Sequence, residues 1–200
     1  LSAIAGAERV FAIMDEKADE DAGKEASVLQ GNVSFDDVTF RYNAAQQAPT
    51  LQHVNFNVTS GQMVALVGAT GAGKTTIMQL IARFYDVDEG RVLFDDVDVR
   101  EYTRESLRSQ MAFVLQDPFL FEDTVSNNIR YGRLNATTED IVDAAKKANA
   151  HDFIMKLENG YDTYLSANGD NLSQGQRQLL SIARAFVANP AILLLDEATS

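Results

Sequence analysis

The sequence predicts an α/β fold: a P-loop core, an antiparallel β part ahead of it, and an α-helical insertion within it. Three observations predict it. Residues 68–75 read Gly68-Ala69-Thr70-Gly71-Ala72-Gly73-Lys74-Thr75, the phosphate-cradling pattern G-x-x-x-x-G-K-[ST]. Before it lies the apolar run Met63–Val67, patterned as a buried parallel strand. After it, Ile77, Leu80, Ile81 and Phe84 recur at helical spacing. Second, Ile192-Leu193-Leu194-Leu195 runs into Asp196-Glu197, a central strand ending in acids where parallel sheets bind ligands. Third, Val33, Phe35, Val38 and Phe40, then Val54, Phe56 and Val58, alternate with polar residues as half-buried antiparallel strands do.

The elements follow in chain order. Ile4, Ala7, Phe11 and Met14 fall at helical spacing and predict a short amphipathic helix. Residues 15–27 are charged and aperiodic, and read as a linker. The alternating strands come next, with a break expected at Asp36-Asp37. Beyond the P-loop unit, Val92-Leu93-Phe94 and Val97-Asp98-Val99 suggest two short strands about Asp95-Asp96. Met111–Leu115 is another buried strand. Residues 119–165 are mostly helical in pattern, with Ile141, Ala144, Ala145 and Ala148 on one face. Leu179, Ile182, Ala183 and Phe186 mark a further amphipathic helix, which Asn189-Pro190 stops.

Composition narrows the function classes. The 200 residues suit one domain, with room for a subdomain. With 29 acids against 17 bases the net charge is −12, which disfavours nucleic acid as the main partner. The absence of cysteine excludes disulfides and thiolate metal sites. No apolar run reaches the ~18 residues of a membrane-spanning helix, and no signal segment is evident. The chain starts at Leu1 and stops at Ser200 within a motif, so it reads as a fragment.

The motifs point to phosphate chemistry. Backbone N–H groups of the glycine loop, with the positive end of a helix dipole behind them, suit phosphate oxygens. Lys74 would neutralise the β/γ-phosphates and Thr75 would offer its hydroxyl to Mg²⁺. Asp196 would hold Mg²⁺ directly or through water. Glu197, one residue further out, could take a proton from an attacking water. A third motif, Leu172-Ser173-Gln174-Gly175-Gln176, opens a helix. Ser173 and Gln176 make a capping box. Gly175 in the first turn is costly unless backbone there must approach something closely. A second helix N-terminus is a second phosphate site.

Residues 68–75, 172–176 and 192–200, in this order and spacing, resemble the nucleotide-binding domain of an ABC transporter, and the likeness extends over about residues 28–200. It implies a RecA-like P-loop NTPase core with an N-terminal antiparallel β subdomain and a helical subdomain at about 117–188. It implies ATP and Mg²⁺ as cofactors, with Tyr42, Gly68, Ala69, Thr70, Gly71, Ala72, Gly73, Lys74, Thr75 and Thr76 binding the nucleotide. Tyr42 resembles the aromatic that stacks on adenine. Gln116, ending its strand, resembles the Q-loop glutamine beside Mg²⁺ and the γ-phosphate, so Gln116, Thr75 and Asp196 form the metal set. Gln116 and Glu197 are the implied catalytic pair. Leu172, Ser173, Gln174, Gly175 and Gln176 would meet ATP held by a partner's P-loop, in a homo- or heterodimer.

Residues 1–16, 119–132 and 161–186 look exporter-like. Residues 1–27 would then be the end of a transmembrane-domain helix and its linker, and the domain would lie at the cytoplasmic face of the plasma (inner) membrane. The implied activity is ATP hydrolysis powering export, with the transmembrane domain of the same polypeptide as partner. Two alternatives keep the fold: a soluble ABC ATPase acting as a nucleotide-gated clamp, and an ATP-binding regulatory half of a heterodimer. One position departs from the pattern. Exporters carry a Glu where this chain has Ala167. The family's switch histidine is expected beyond Ser200; His53 and His151 do not replace it and read as structural or exposed. Asp86-x-Asp88-x-Gly90 hints at a calcium loop, but Val97 stands where Glu is needed. The sequons at Asn32, Asn57 and Asn135 have no role in a cytosolic ATPase.

Overall fold

The structure, a computed structural model, describes residues 2–15, 21–43, 47–166 and 169–196. Helix α1 (Ser2–Met14) is followed by strands β1 (Val33–Phe40) and β2 (Leu51–Val58), then helix α2 (Lys74–Ile81). Strands β3 (Glu89–Phe94) and β4 (Val97–Asp98), helix α3 (Arg104–Arg108) and strand β5 (Met111–Val114) come next. Helices α4 (Val125–Arg130), α5 (Thr138–Lys147), α6 (His151–Ile154) and α7 (Gln174–Val187) lead to strand β6 (Ile192–Leu195).

Two sheets form. The first is antiparallel in the order β2-β1-β3-β4. The expected break at Asp36-Asp37 is a bulge inside a continuous strand. Register shifts between Phe35 and Val38, and Asp37 takes φ 52 while its N–H donates to Asn55 Oδ1. Bulging keeps Phe35, Val38 and Phe40 all buried despite the extra residue. Asp95 and Asp96, at φ 48 and 66, make the two-residue turn with both φ positive that matches strand twist. The second sheet is the parallel pair β5-β6, with Val114 opposite Leu195.

Apolar burial divides into two main clusters. One joins β1–β3, α2 and the β5-β6 pair through Phe35, Phe94, Leu80, Leu107, Met111 and Ile192. The other lies among α4–α7 around Ile129, Ile141, Ile154, Leu165 and Leu180. Helix α7 belongs to both sides: Leu180 and Val187 face the helical cluster, while Ala185 and Ile182 meet Val114 and Leu193. The helical face Ile141, Ala144, Ala145 and Ala148 is buried as expected.

Three expectations are corrected. Met63–Val67 is not a buried strand: Met63 is 99% and Val67 93% exposed, and no strand pairs with it among the described residues. An apolar run becomes a strand only where a neighbour supplies ladder hydrogen bonds, and none does here. Phe84 is not on the helix. Helix α2 ends at Ile81 with Ala82 as its C-cap, and Arg83 turns left-handed at φ 52. Arg83 N–H donates to Leu80 O and Phe84 N–H to Gln79 O, the paired bonds of a Schellman end. The linker reading fails for its second half. Residues 21–30 are strapped across α3: Asp21 accepts from Arg104 N–H, Ala26 N–H donates to Ser106 Oγ, and Gln110 bridges Leu29 N–H and Ser27 O. Backbone hydrogen bonding needs no apolar periodicity, so the sequence pattern did not reveal it.

Helix α1 forms as predicted, with Val10, Phe11, Ile13 and Met14 exposed. No helix among the described residues is long and apolar enough to cross a membrane.

The Asp95 carboxylate ties β3 to the segment entering β1, accepting from Gln30 N–H, Asn32 N–H and Asn32 Nδ2. Partial burial pushes its pKa up, but the bonds from Asn32 and Gln30 outweigh it, so the pKa falls below 3.8. A folded-state pKa below the unfolded one gives stability that is full above the unfolded pKa and lost as pH falls through the folded one. Chemical denaturation from about pH 6 down to about pH 3 should show this acid loss in the native chain and a shallower one in Asp95→Asn. Identical pH slopes would remove Asp95 from the acid limb.

Candidate nucleotide site

The glycine loop is shaped by backbone bonds and left-handed glycines. Ala72 N–H donates to Ala69 O at 3.1 Å. Gly73 caps α2 at φ 88, with no side-chain cap. The left-handed φ is what requires glycine there; a Cβ would also stand 2.6 Å from Leu51 Cδ2, which would have to turn aside. The first intrahelical acceptor is Gly73 O, receiving Ile77 N–H at 3.0 Å. The N–H groups of Lys74, Thr75 and Thr76 therefore have no acceptor among the described residues. These are the orphan donors of a helix N-terminus, and no acidic side chain lies in that turn. Lys74 folds back on the loop, its Nζ donating to Gly68 O at 2.8 Å and Ala69 O at 3.0 Å. An ammonium on the loop carbonyls, together with the free N–H groups of the helix start, makes a concentrated positive site.

Tyr42 reaches this helix from the end of β1. Its hydroxyl lies 2.8 Å from Thr76 Oγ1 and 2.6 Å from Gln79 Oε1, and the residue remains 46% exposed. Thr76 is buried and supports Tyr42 through its hydroxyl, so only its N–H is free for the loop.

Gln116 and Asp196 are brought together by the parallel register. Asp196 N–H donates to Val114 O at 2.9 Å, extending the β5-β6 ladder, and Gln116 follows two residues beyond Val114. Gln116 is exposed and Asp196 half-buried. Thr75, also exposed, adds a hydroxyl at the start of α2. These are three oxygen donors with one carboxylate, a set suited to Mg²⁺ that completes its shell with water and phosphate. No cluster of three His, Cys, Asp or Glu that could hold a metal unaided occurs among the described residues. Glu197 lies outside the described residues, as do Ala167 and Asn168.

The second helix N-terminus is that of α7. Ser173 and Gln176 form the capping box: Ser173 N–H donates to Gln176 Oε1 at 2.9 Å, and Gln176 N–H to Ser173 Oγ at 3.3 Å. Leu172 is buried and anchors the turn, its carbonyl accepting from Arg177. Gln174 and Gly175 are exposed. A Cβ on Gly175 would meet nothing within 4 Å, so nothing among the described residues explains the glycine.

Neighbours that sequence pattern did not single out complete the picture. Gln178 of α7 donates to Leu115 O at 3.5 Å, beside Gln116. Arg184 of α7 donates to Phe119 O, Asn128 O and Asn128 Oδ1 and lies against the Phe121 and Tyr131 rings. Burial lowers its pKa, and no carboxylate among the described residues pairs with it. It clamps the segment after Gln116 onto α7. His53 pairs with Asp37, His151 with Tyr161, and Asp86 and Asp88 are ion-paired to arginines, so these groups are structural.

Comparison with known proteins gives this arrangement its class. The family model for ABC transporters matches residues 51–200. The chain belongs to that family, whose ATP-binding domains are ATPases. It is 54% identical over 203 residues to an uncharacterised ABC transporter ATP-binding protein of Bacillus subtilis, YfiC, covering 100% of this chain and 33% of that one. It is 49% identical over 194 residues to a Staphylococcus aureus protein named provisionally as a multidrug export ATP-binding/permease protein, covering 96% and 33%. The solved structure of a bacterial Atm1-family ABC exporter with ATP bound matches at TM-score 0.88 and 42% identity, over 98% of this chain and 34% of that chain. The chain thus spans about a third of the length of these relatives.

Gly73→Ala should destabilise the fold by about 1–2 kcal/mol, the usual cost of forcing a Cβ into a left-handed position. Urea denaturation measures it; an unchanged midpoint would mean that the loop relaxes freely around Gly73.

Proposed function

We propose that this chain is the ATP-hydrolysing motor domain of an ABC exporter, spanning residues 28–200, with residues 1–27 joining it to a transmembrane domain of the same polypeptide. The observation that carries the reading is a pair of helix N-termini, the first uncapped and the second capped but carrying an exposed glycine. One, on α2, has N–H groups without an acceptor among the described residues and the Lys74 ammonium on the adjoining loop. The other, on α7, carries a glycine that nothing among the described residues requires.

Gly68 to Gly73 surround the phosphates, the N–H groups of Lys74, Thr75 and Thr76 donate to them, and Lys74 Nζ exchanges its two carbonyls for phosphate oxygens. Tyr42 stacks on the base. Thr75, Asp196 and Gln116 hold Mg²⁺, which when bound neutralises charge on the phosphates. Glu197 accepts the proton of the attacking water. Leu172 seats the signature turn from below, while Ser173, Gln174, Gly175 and Gln176 close on the γ-phosphate in a second ABC domain. Gly175 lets that phosphate approach the α7 backbone. Positioning and electrostatics supply most of the catalysis. Closure and reopening of the two-domain sandwich then drive the membrane part, with the motor at the cytoplasmic face of the membrane. The relatives named above, one an ATP-binding/permease protein and one an exporter with ATP bound, support this reading.

Three variants of the intact protein test it. Glu197→Gln should keep MgATP affinity and lose turnover in a phosphate-release assay; hydrolysis at the native rate would sink the general-base assignment. Lys74→Ala should weaken ATP binding by about 1.5–3 kcal/mol, one charge-assisted contact. Equal affinity in a calorimetric titration would take Lys74 out of the phosphate site. Gly175→Ala should leave stability unchanged or raise it by up to about 1 kcal/mol, while hydrolysis falls roughly tenfold, the equivalent of one hydrogen bond. A fall in stability with activity intact would instead make Gly175 a folding residue.

A further inference from the structure

The Tyr42 ring lies past the end of β1, beyond the reach of the sheet ladder. Something else must orient it. Its hydroxyl is fixed by Thr76 and Gln79 on α2. Its ring is met by two others at near right angles: Phe40 at 5.0 Å and 80°, and Tyr85 at 5.2 Å and 89°. Phe40 and Tyr85 also touch, at 5.5 Å. Phe40 is a buried member of the sheet core, whereas Tyr85 is 44% exposed. Core packing therefore accounts for Phe40 but not for Tyr85.

Tyr85 is delivered there by the end of α2. The left-handed Arg83 and the Schellman bonds turn the chain back on the helix. The buried Arg83 guanidinium fixes that turn, donating to Tyr102 O and pairing with Asp86. Three residues later, Asp88 N–H donates to Thr39 O at 3.1 Å, and Asp88 Oδ2 accepts from Arg41 N–H at 2.7 Å. The segment carrying Tyr85 and the segment carrying Tyr42 are thus bonded together next to the ring contact. Tyr42 is left with two hydroxyl bonds to α2, one core ring and one exposed ring around it.

We propose that Tyr85 is a positioning residue of the nucleobase platform: its ring holds Tyr42 in the orientation that stacks on the base. The inference rests on the reading of Tyr42 as the base-stacking ring. An oriented ring binds a base without first losing rotamer freedom. A perpendicular ring pair is worth about 0.5–1.5 kcal/mol, so its loss corresponds to roughly a two- to tenfold weakening of nucleotide affinity. The effect is confined to ligands that carry a base, because the Tyr85 ring packs on Phe40 and Tyr42, whereas Lys74 is held by the carbonyls of Gly68 and Ala69.

The test uses the intact protein and two probes, MgATP and magnesium tripolyphosphate, the second having phosphates but no base. Affinities are measured for the native protein, Tyr42→Ala, Tyr85→Leu and Tyr85→Phe. The expected result is a roughly two- to tenfold loss of MgATP affinity in Tyr85→Leu, unchanged tripolyphosphate affinity, and native MgATP affinity in Tyr85→Phe, which keeps the ring. Tyr42→Ala should lose MgATP affinity at least as far. If Tyr42→Ala weakens MgATP and Tyr85→Leu does not, the positioning role is wrong while the stacking role stands. If Tyr85→Leu weakens both probes equally, Tyr85 acts through the phosphate loop and the inference is overturned. If Tyr42→Ala binds MgATP as the native protein does, the stacking reading falls and the inference falls with it.

Discussion

The first turn of α2 presents three backbone N–H groups with nothing among the described residues to accept them, and the ammonium of Lys74 rests on the carbonyls of Gly68 and Ala69. A helix start is normally relieved by a Ser, Thr, Asp or Asn cap. Here the capping residue is Gly73, which offers no side chain. Three other helices contrast with it. Thr137 and Thr124 cap α5 and α4, and Ser173 caps α7. The chain can cap helices and does so elsewhere. The bare start of α2 is a local deficit that an anion of several oxygens satisfies.

The rest of the molecule holds that start in place and arranges groups around it. Leu80 and Ile81 bury α2 in the same core as β1 and the β5-β6 pair. Arg108 ties its far end by donating to the carbonyls of Ala82 and Arg83. The parallel register of β5 and β6 sets Gln116 and Asp196 at neighbouring strand ends. Helix α7 is packed against that pair on one side and the helical cluster on the other, and Gln178 and Arg184 bond it to the segment on either side of Gln116. A displacement of α7 must therefore move the chain around Gln116 with it. That gives the proposed second phosphate site a physical route to the first.

Much of this was legible in residue pattern, because each legible part has a local cause. The alternation in β1 and β2 reports a half-buried face, and the capping box of α7 is written in Ser173 and Gln176 themselves. The glycine loop is defined by a spacing whose purpose is backbone approach. The parts that pattern missed depend on partners far along the chain. Met63–Val67 has the composition of a buried strand, but no strand among those described pairs with it. Residues 21–27 look like a solvated linker, yet their backbone is bonded to residues about 80 positions later. Tyr85 has no motif; only the turn at Arg83 brings it to Tyr42. Glu197, the residue that motif chemistry makes most reactive, lies outside the described residues, so its role rests on sequence alone.

The most direct measurement is amide hydrogen exchange at single-residue resolution over residues 68–77 of the intact protein, with and without MgATP. The account predicts fast exchange at Lys74, Thr75 and Thr76 without nucleotide, where no acceptor protects them, and strong protection when MgATP is bound. Ile77, already bonded to Gly73 O, should be protected in both. Unchanged exchange at Lys74, Thr75 and Thr76 under saturating MgATP would contradict the account, because the phosphates would then lie elsewhere.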